Sequence, residues 1–318
     1  MRIRLVTPAP PRSRAGNRAT AARWAAILRG LGHRVDISVD YAGESADLMV
    51  ALHAWRSADA IARFAARRPA RPLVVALTGT DAYRFIHSDP APTLRSIVLA
   101  DRLVGLHDLI GDVVPAEHRG KVRVIHQSAR PLARRSPVRS SFRVCVAGHL
   151  RDEKDPLRPA WAVRDLPPAS RLRVEHYGGA HTPEWADAAR AEMAANPRYR
   201  WHGEIGHDRL RRVYASAHLL ALPSRMEGGA NVISEAVAAG LPVVASRIAG
   251  SVGLLGADYP GYYPVGDAAA LRALLLRAES DRAFYAELES RCAARRPLFT
   301  PERERAAWES LLRELGAA

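Results

Sequence analysis

Residues 217–241 read AHLLALPSRMEGGANVISEAVAAGL, and this stretch is the most informative part of the sequence about the fold. It opens with a short apolar run, 217–222, which is typical of a buried strand. Gly228 and Gly229 then let the backbone turn sharply, and apolar residues recur at helical spacing up to Gly240, a residue type that often ends helices. The stretch therefore predicts a strand, a tight turn and a helix that starts directly above the end of the strand.

The start of this predicted helix is a candidate anion site. Unpaired N–H groups and the positive end of the helix dipole attract negative charge, and glycines let a phosphate approach the backbone. A diphosphate is the expected occupant. The main chain that would hold it belongs to four consecutive residues: Gly228, Gly229, Ala230 and Asn231. Glu227 and Glu235 flank the turn, where their carboxylates accept hydrogen bonds from sugar and ribose hydroxyls; the alternative is two solvated acids that only favour the dipole.

Short apolar runs alternate with helical patterns along the whole chain, which indicates parallel sheets with crossover helices. The candidate strands are 3–6, 35–39, 48–52, 73–77, 102–106, 122–125, 142–147, 172–177, 219–222 and 242–245. Residues 128–141, rich in Arg, Pro and Ser, show no periodicity and read as a linker. We predict an α/β fold with two doubly wound Rossmann-like domains, 1–135 and 136–300, facing a cleft, and a C-terminal helix within 301–318.

The composition indicates a folded, strongly basic protein. Hydrophobic residues make up 48% and charged residues 25% of the 318 residues, and the formal net charge is +14. Such charge attracts polyanions, so a non-catalytic polyanion-binding protein is one candidate class. The arginines are spread over the whole length, however, and no helix-turn-helix or aromatic-interleaved basic motif concentrates them. We therefore expect no nucleic-acid partner.

The sequence lacks the patterns of a membrane anchor, a disulfide framework or a metal site. No run reaches the roughly 18 apolar residues of a membrane span, and residues 1–6 read as a strand rather than a signal peptide. Cys145 and Cys292 are too few for a disulfide framework. Without an Asp-x-Asp motif or a His/Cys cluster at ligand spacing, we expect no metal and no other cofactor. We expect a cytoplasmic protein without stable membrane insertion.

Residues 146–156 form a predicted loop at the end of the first strand of the second domain. Its Arg151 and Lys154 are suited to neutralising a diphosphate leaving group, because donors aimed at developing negative charge lower the barrier. The alternative is a solvated basic loop.

Residues 10–20 follow the first strand and precede a helix that should begin near residue 19. Gly16 and Asn17 are candidates to approach the donor or the acceptor. Three arginines offer planar forks suited to an anionic acceptor: Arg12, Arg14 and Arg18. The alternative is a basic turn in which Gly16 is only a chain-reversal residue.

Two more strand ends of the first domain carry polar residues, at 52–55 and 77–84. His53, Thr80 and Asp81 are candidates to position the acceptor or the donor sugar. A single histidine after a strand is also common as a structural residue, so that alternative stays open for His53.

Glu227, Glu235 and residues 239–245 together resemble the Glu-x7-Glu signature of family-4-type glycosyltransferases with the GT-B fold. In that family the first glutamate and the backbone after it hold the donor sugar, and the second glutamate holds the ribose. The resemblance implies these roles here, and it implies that helix 301–318 crosses back to the first domain. Residues 146–156 resemble the family's Gly-Arg…Glu-Lys loop, except that His149 stands where the family usually has Arg; either Arg151 substitutes or His149 donates a hydrogen bond instead. Gly203 resembles the family's glycine before the helix that binds the base, which implies a role in base stacking or in turn geometry.

Segments 10–20, 77–84, 147–154 and 227–245 resemble one subgroup closely, the selenosugar synthases of selenoneine biosynthesis. This resemblance implies a UDP-sugar donor, UDP-N-acetylglucosamine, and selenophosphate as the acceptor, giving a 1-seleno-sugar. Selenophosphate is already nucleophilic and needs positioning more than a strong base. The implied catalytic residues are Glu227, Lys154 and Arg151. The alternative within the family is a hexosyltransferase acting on a lipid or sugar hydroxyl.

Overall fold

The computed structural model describes residues 1–13 and 16–316. The chain folds as two compact units. The first unit comprises Met1–Ser128, Glu227–Asn231 and Pro301–Ala318, and the second comprises Ala129–Met226 and Val232–Thr300. The first segment of the first unit thus ends seven residues before the boundary expected at 135, and the unit also includes a short segment from the middle of the second half of the chain.

The described part of the first unit contains a parallel six-stranded sheet in the order β2-β1-β3-β4-β5-β6. Its strands are β1 Arg2–Val6, β2 Arg34–Ser38, β3 Leu48–Leu52, β4 Leu73–Ala76, β5 Arg102–Gly105 and β6 Val122–Val124. Its helices are α1 Gly16–Gly30, α2 Ala58–Arg67, α3 Ile86–Ser88, α4 Pro90–Leu99 and, at the end of the chain, α12 Pro301–Glu314. A π-helical turn, Asp81–Phe85, joins β4 to α3.

Helices cover both faces of this sheet, which explains why its central strands are continuous apolar runs. Alternate residues of β3 enter different cores: Leu48 and Val50 pack with the cluster around Trp24, whereas Met49 and Ala51 pack with the cluster around Phe64. Since side chains alternate across a strand, each face of the sheet has its own apolar core.

The C-terminal helix α12 packs into the first of these cores. The Trp308 ring lies edge-on to Trp24, with the ring centroids 4.8 Å apart. Glu304 is buried, and its carboxylate accepts hydrogen bonds from Trp24 Nε1 at 2.8 Å, Arg23 Nε at 3.1 Å and the Ser128 main-chain N–H at 2.8 Å. Apolar packing and a buried charged network therefore both hold this helix in the first unit.

The second unit also contains a parallel six-stranded sheet among its described residues, in the order β12-β11-β10-β7-β8-β9. Its strands are β7 Phe142–Ala147, β8 Leu172–Tyr177, β9 Tyr199–Trp201, β10 Leu219–Leu222, β11 Val243–Ser246 and β12 Tyr262–Tyr263. Its helices are α5 Arg158–Ala162, α6 Pro183–Ala195, α7 His207–Ser216, α8 Asn231–Ala238, α9 Ala249–Leu255, α10 Ala268–Ser280 and α11 Arg282–Arg295. Aspartates cap α10 and α11, because Asp267 and Asp281 accept from N–H groups of the first turn.

The predicted α/β class with two Rossmann-like sheets is confirmed. All the strands expected from the sequence are present within one residue at each end, but β9 and β12, which read YRW and YY and contain no aliphatic residue, were not predicted. Helix α1 begins at Gly16 rather than near residue 19. Over the described residues, no helix combines the length and apolar character needed to cross a bilayer.

Candidate active site

Segment Glu227–Asn231 packs within the first unit although its neighbours in sequence belong to the second. A Cβ atom on Gly228 would lie 2.2 Å from the carbonyl carbon of Thr78 and 2.3 Å from the nitrogen of Gly79. Gly229 has φ 153°, and a Cβ there would lie 2.3 Å from Cβ of Leu106. Both positions require glycine, because the main chain lies directly against the turns that follow β4 and β5.

Gln127, three residues after the end of β6 at Val124, anchors the same segment. In the amide orientation that gives both the side-chain nitrogen and the side-chain oxygen hydrogen-bond partners, the nitrogen donates to the Gly229 carbonyl at 3.0 Å and to Asn231 Oδ1 at 2.9 Å. Its oxygen accepts from Thr20 Oγ1 at 2.6 Å and from Arg23 Nη2 at 2.9 Å. Sequence reasoning missed Gln127, which lies one residue before the predicted linker at 128–141; its position just after the predicted strand 122–125 was the available signal.

Asp81 organises the turn against which Gly228 lies. The residue is fully buried, and its carboxylate accepts hydrogen bonds from the N–H groups of Thr78 at 3.0 Å, Gly79 at 2.8 Å and Ala54 at 2.8 Å. These bonds join the loop after β3 to the loop after β4. Asp81 therefore fixes main-chain positions at this edge of the sheet, with its carboxylate directed into the protein.

His53 lies in the loop after β3 with φ 74°, a strained conformation for a non-glycine residue of the kind that clusters at functional sites. Its Nδ1 accepts from the Arg56 N–H at 3.0 Å, so the proton resides on Nε2, which faces Thr80 Oγ1 at 2.9 Å. Burial lowers the pKa of His53. The structure thus brings His53 and Thr80 together, with the ring as a neutral donor and the Thr80 side chain half-buried.

The start of α1 adjoins segment Glu227–Asn231. A Cβ on Gly16 would lie 3.9 Å from Nδ2 of Asn231, so a methyl group at Gly16 would be in van der Waals contact with the Asn231 side chain. Asn17 and Arg18 follow in the first turn of α1 and are half-buried, and Arg12 is exposed. Arg14 lies outside the described residues.

In the second unit, His176 and Gly178 shape the loop that follows β7. His176 is fully buried; its Nε2 lies 3.0 Å from the Gly148 carbonyl and its Nδ1 lies 3.1 Å from Tyr199 Oη. Burial lowers the pKa of His176 to about 4, so the ring is neutral at physiological pH. A Cβ on Gly178 would lie 1.9 Å from the Gly148 carbonyl oxygen. Both residues therefore control the position of Gly148.

Lys154 ends a short 3₁₀ turn in this loop, and its Cδ lies 3.8 Å from where a Gly148 Cβ would be. Asp155 follows with φ 44° and has an Arg225 guanidinium nitrogen 3.7 Å from its carboxylate. The main-chain N–H of Arg225 donates to the main-chain carbonyl of Glu153 at 2.8 Å. The Lys154 loop is thereby tied to the segment after β10, the same segment that leads into Glu227.

The remaining nucleotide-side candidates also belong to the second unit. Arg151 is half-buried, with its Nε 3.8 Å from a Glu153 carboxylate oxygen. His149 is half-buried beside the ring of His181, and burial lowers its pKa. Gly203 adopts φ 69°, and its carbonyl accepts from the Gly178 N–H at 2.8 Å. Gly178 therefore connects the turn at Gly203 with the loop that carries His149.

Glu235 lies in the second turn of α8 and is held by helix α7. Tyr214 Oη donates to Glu235 Oε2 at 2.9 Å, and His207 Nε2 lies 3.5 Å from Oε1. The nearby carboxylate raises the pKa of His207. Sequence reasoning missed both partners, since nothing in α7 marks them before the two helices are packed together.

Metal binding has no obvious location in the described ranges 1–13 and 16–316. Within them, no group of three or more His, Cys, Asp or Glu side chains is arranged to hold an ion. The candidate groups described above are instead Lys154, Arg151 and Glu235 in the second unit and the main chain of Glu227–Asn231 in the first. Main-chain N–H groups and cations suit phosphate groups, and carboxylates suit hydroxyl groups.

Comparisons with solved structures show the same fold. HepE of Anabaena in complex with UDP is 17% identical, with 100% of both chains covered and a TM-score of 0.79. Sucrose-phosphate synthase of Thermosynechococcus elongatus is 18% identical, with 99% of both chains covered and a TM-score of 0.80. A glycosyltransferase of Rickettsia africae is 12% identical, with 99% of this chain and 98% of that chain covered and a TM-score of 0.75.

The comparison with protein families is more specific. Among curated proteins, none matches the chain. The family described as Glycosyl transferases group 1 matches residues 122–281, which is half of the chain and includes the Lys154 loop, the double glycine and both glutamates. The chain therefore belongs to the group 1 glycosyltransferases and has two Rossmann-like domains of the GT-B type.

Proposed function

We propose that this glycosyltransferase uses a UDP-sugar donor, UDP-N-acetylglucosamine, and transfers the sugar to the selenium of selenophosphate. The observation that supports it most is the strand–turn–helix at 219–238, in which two obligatory glycines precede α8 and Glu235 is held by neighbouring side chains. The Anabaena HepE structures contain UDP, UDP with glucose, or UDP-glucose. A pneumococcal O-GlcNAc transferase of the same fold was solved with UDP and GlcNAc.

On the donor side, we assign the diphosphate to the main-chain N–H groups of residues 228–231. Glu227 accepts hydrogen bonds from the sugar hydroxyls and Glu235 from the ribose. Lys154 and Arg151 balance the charge that develops on UDP as the bond to the anomeric carbon breaks. Because these cations supply that charge, we propose that the reaction needs no metal ion.

On the acceptor side, we assign the anion to the arginines at the start of α1. Arg12 is exposed, and Arg18 is half-buried in the first turn of α1, two residues after Gly16. The selenium of selenophosphate forms a bond to the anomeric carbon while the carbon–oxygen bond breaks and its electron pair leaves with UDP. Water must then cleave the phosphorus–selenium bond to release phosphate and the 1-seleno-sugar.

The structure also offers a reason to test a second acceptor class. Trp55 and Phe85 stack with ring centroids 4.1 Å apart near the loops after β3 and β4, and both rings are half-buried. Aromatic faces of this kind suit the apolar face of a sugar ring. A hexosyltransferase acting on a sugar or lipid hydroxyl is therefore the second candidate.

Direct assay separates these candidates. The protein is incubated with several UDP-sugars and either selenophosphate or hydroxyl acceptors, and the products are identified by mass spectrometry. We expect a selenium-containing N-acetylhexosamine only when UDP-N-acetylglucosamine and selenophosphate are both present. Formation of O-glycosides alone would support the hexosyltransferase instead. Salt-dependent nucleic-acid binding without affinity for UDP would indicate a polyanion-binding protein.

A matched pair of variants shows whether the assigned loop is responsible. Lys154→Ala removes the cation assigned to the leaving group. Lys121→Ala removes the other lysine of the chain, whose Nζ donates to the Val98 carbonyl at 2.8 Å in the first unit. We expect product formation to fall by about 100-fold or more in the first variant, as when one transition-state donor is lost. Lys121→Ala should stay within about twofold of wild type, since its contact is structural.

A further inference from the structure

The orientation of Glu235 depends on helix α7. Both carboxylate oxygens face side chains of that helix, Oε2 at 2.9 Å from Tyr214 Oη and Oε1 at 3.5 Å from His207 Nε2. All three residues belong to the second unit. A glutamate on a solvent-accessible surface samples several rotamers, whereas two contacts from a rigid helix restrict this one.

Tyr214 is a buried core residue, and its hydroxyl makes this contact. The residue is 1% exposed and lies near the end of α7, with its hydroxyl directed at α8. Burial raises the pKa of the phenol, so the hydroxyl stays protonated and acts as the donor. Buried tyrosine hydroxyls need a hydrogen-bond partner, and here the partner is the Glu235 carboxylate.

The contacts leave room for a ligand on the same carboxylate. An ionised carboxylate offers about four lone-pair sites on its two oxygens. Tyr214 occupies one site on Oε2, and His207, which opens α7 and is largely exposed, approaches Oε1. Each oxygen retains a second site, which matches the two adjacent hydroxyls of a ribose.

We propose that Tyr214 is a positioning residue for the ribose of the donor. It fixes the Glu235 carboxylate so that the free lone pairs receive the 2′- and 3′-hydroxyls, and His207 assists from the other oxygen. This inference rests on the proposed function, because it assumes that the nucleotide binds beside Glu235. It adds a residue that never touches the donor and acts through Glu235.

The test combines a variant with a modified ligand. Affinities of wild type and Tyr214→Phe for UDP and for 2′,3′-dideoxy-UDP are measured by calorimetry. We expect Tyr214→Phe to weaken UDP binding about tenfold, the size expected for losing one hydrogen bond to a charged group. Binding of the dideoxy nucleotide should change by less than about twofold, because its ribose makes no bond to Glu235. Equal losses for both ligands, or no loss for either, would overturn the proposal.

Two further variants keep the result interpretable. Tyr285→Phe removes another tyrosine hydroxyl of the second unit, which donates to the His218 carbonyl at 2.9 Å, and it should leave both affinities unchanged. His207→Gln is expected to weaken UDP binding by about threefold, less than Tyr214→Phe because its contact is longer and more exposed. If Tyr214→Phe fails to fold, an unchanged UDP affinity in His207→Gln contradicts the role of α7. Absence of any UDP binding in wild type contradicts the proposed function itself.

Discussion

Replacing Gly228 with alanine tests whether close main-chain packing positions the segment that leads into α8. The new Cβ would lie 2.2, 2.3 and 2.5 Å from the Thr78 carbonyl carbon, the Gly79 nitrogen and the Thr78 carbonyl oxygen. Since favourable carbon contacts begin near 3.5 Å, residues 227–231 must move by about 1 Å. Main-chain atoms on both sides leave no flexible side chain to absorb this shift.

The expected consequence is a large catalytic defect in a protein that still folds. Overpacking of this kind costs about 1–3 kcal/mol, whereas a displacement of about 1 Å in groups that hold a substrate lowers the rate about 100-fold. The measurement is kcat for sugar transfer, or for UDP release from the donor, together with thermal unfolding. Gly111→Ala is the matched control, because a Cβ there meets no atom within 4 Å. A Gly228→Ala enzyme with kcat within about threefold of wild type would refute the packing argument.

Three other predictions follow from the contacts described above. Glu304→Ala leaves buried donors without an acceptor and should destabilise the first unit by about 3–5 kcal/mol in urea unfolding, whereas Glu302→Ala on the exposed side of α12 should change it by less than about 0.5 kcal/mol. Since burial lowers the folded-state pKa of His176 to about 4, the unfolded chain binds more protons between there and about pH 6.5. Acidification through that window should therefore lower the free energy of unfolding by up to about 1.4 kcal/mol per pH unit through this residue. In His176→Gln the free energy of unfolding should depend less steeply on pH. Glu227→Ala should lower kcat about 100-fold with the melting temperature within a few degrees of wild type; unchanged turnover would exclude Glu227 from catalysis.

Much of the fold could be predicted because the sequence repeats one local pattern. Buried strands of a doubly wound sheet are continuous apolar runs, so β3 and β4 are recognisable as LMVAL and LVVA without any knowledge of their neighbours. The turn at 228–229 was recognisable for a similar reason, since two consecutive glycines before a helix indicate close approach of the main chain. The edge strands β9 and β12 read YRW and YY and lack the aliphatic residues by which the other strands were recognised.

The partners inside the site could not be predicted, because they come from tertiary packing. Tyr214 meets Glu235 only when α7 lies beside α8, and nothing in the local pattern around Tyr214 distinguishes it from an ordinary core tyrosine. Asp81 shows the complementary difficulty. Its position at a strand end suggests contact with a substrate, but the direction of its side chain, which the spacing does not fix, places the carboxylate on the main-chain N–H groups of Thr78, Gly79 and Ala54.

A crystal structure of the protein with UDP tests the central claim most directly. The account predicts diphosphate oxygens within hydrogen-bonding distance of the main-chain N–H groups of residues 228–231, and ribose hydroxyls on the Glu235 carboxylate while Tyr214 keeps its hydrogen bond to it. A nucleotide bound elsewhere, with the main chain at 228–231 in contact only with water, would contradict it.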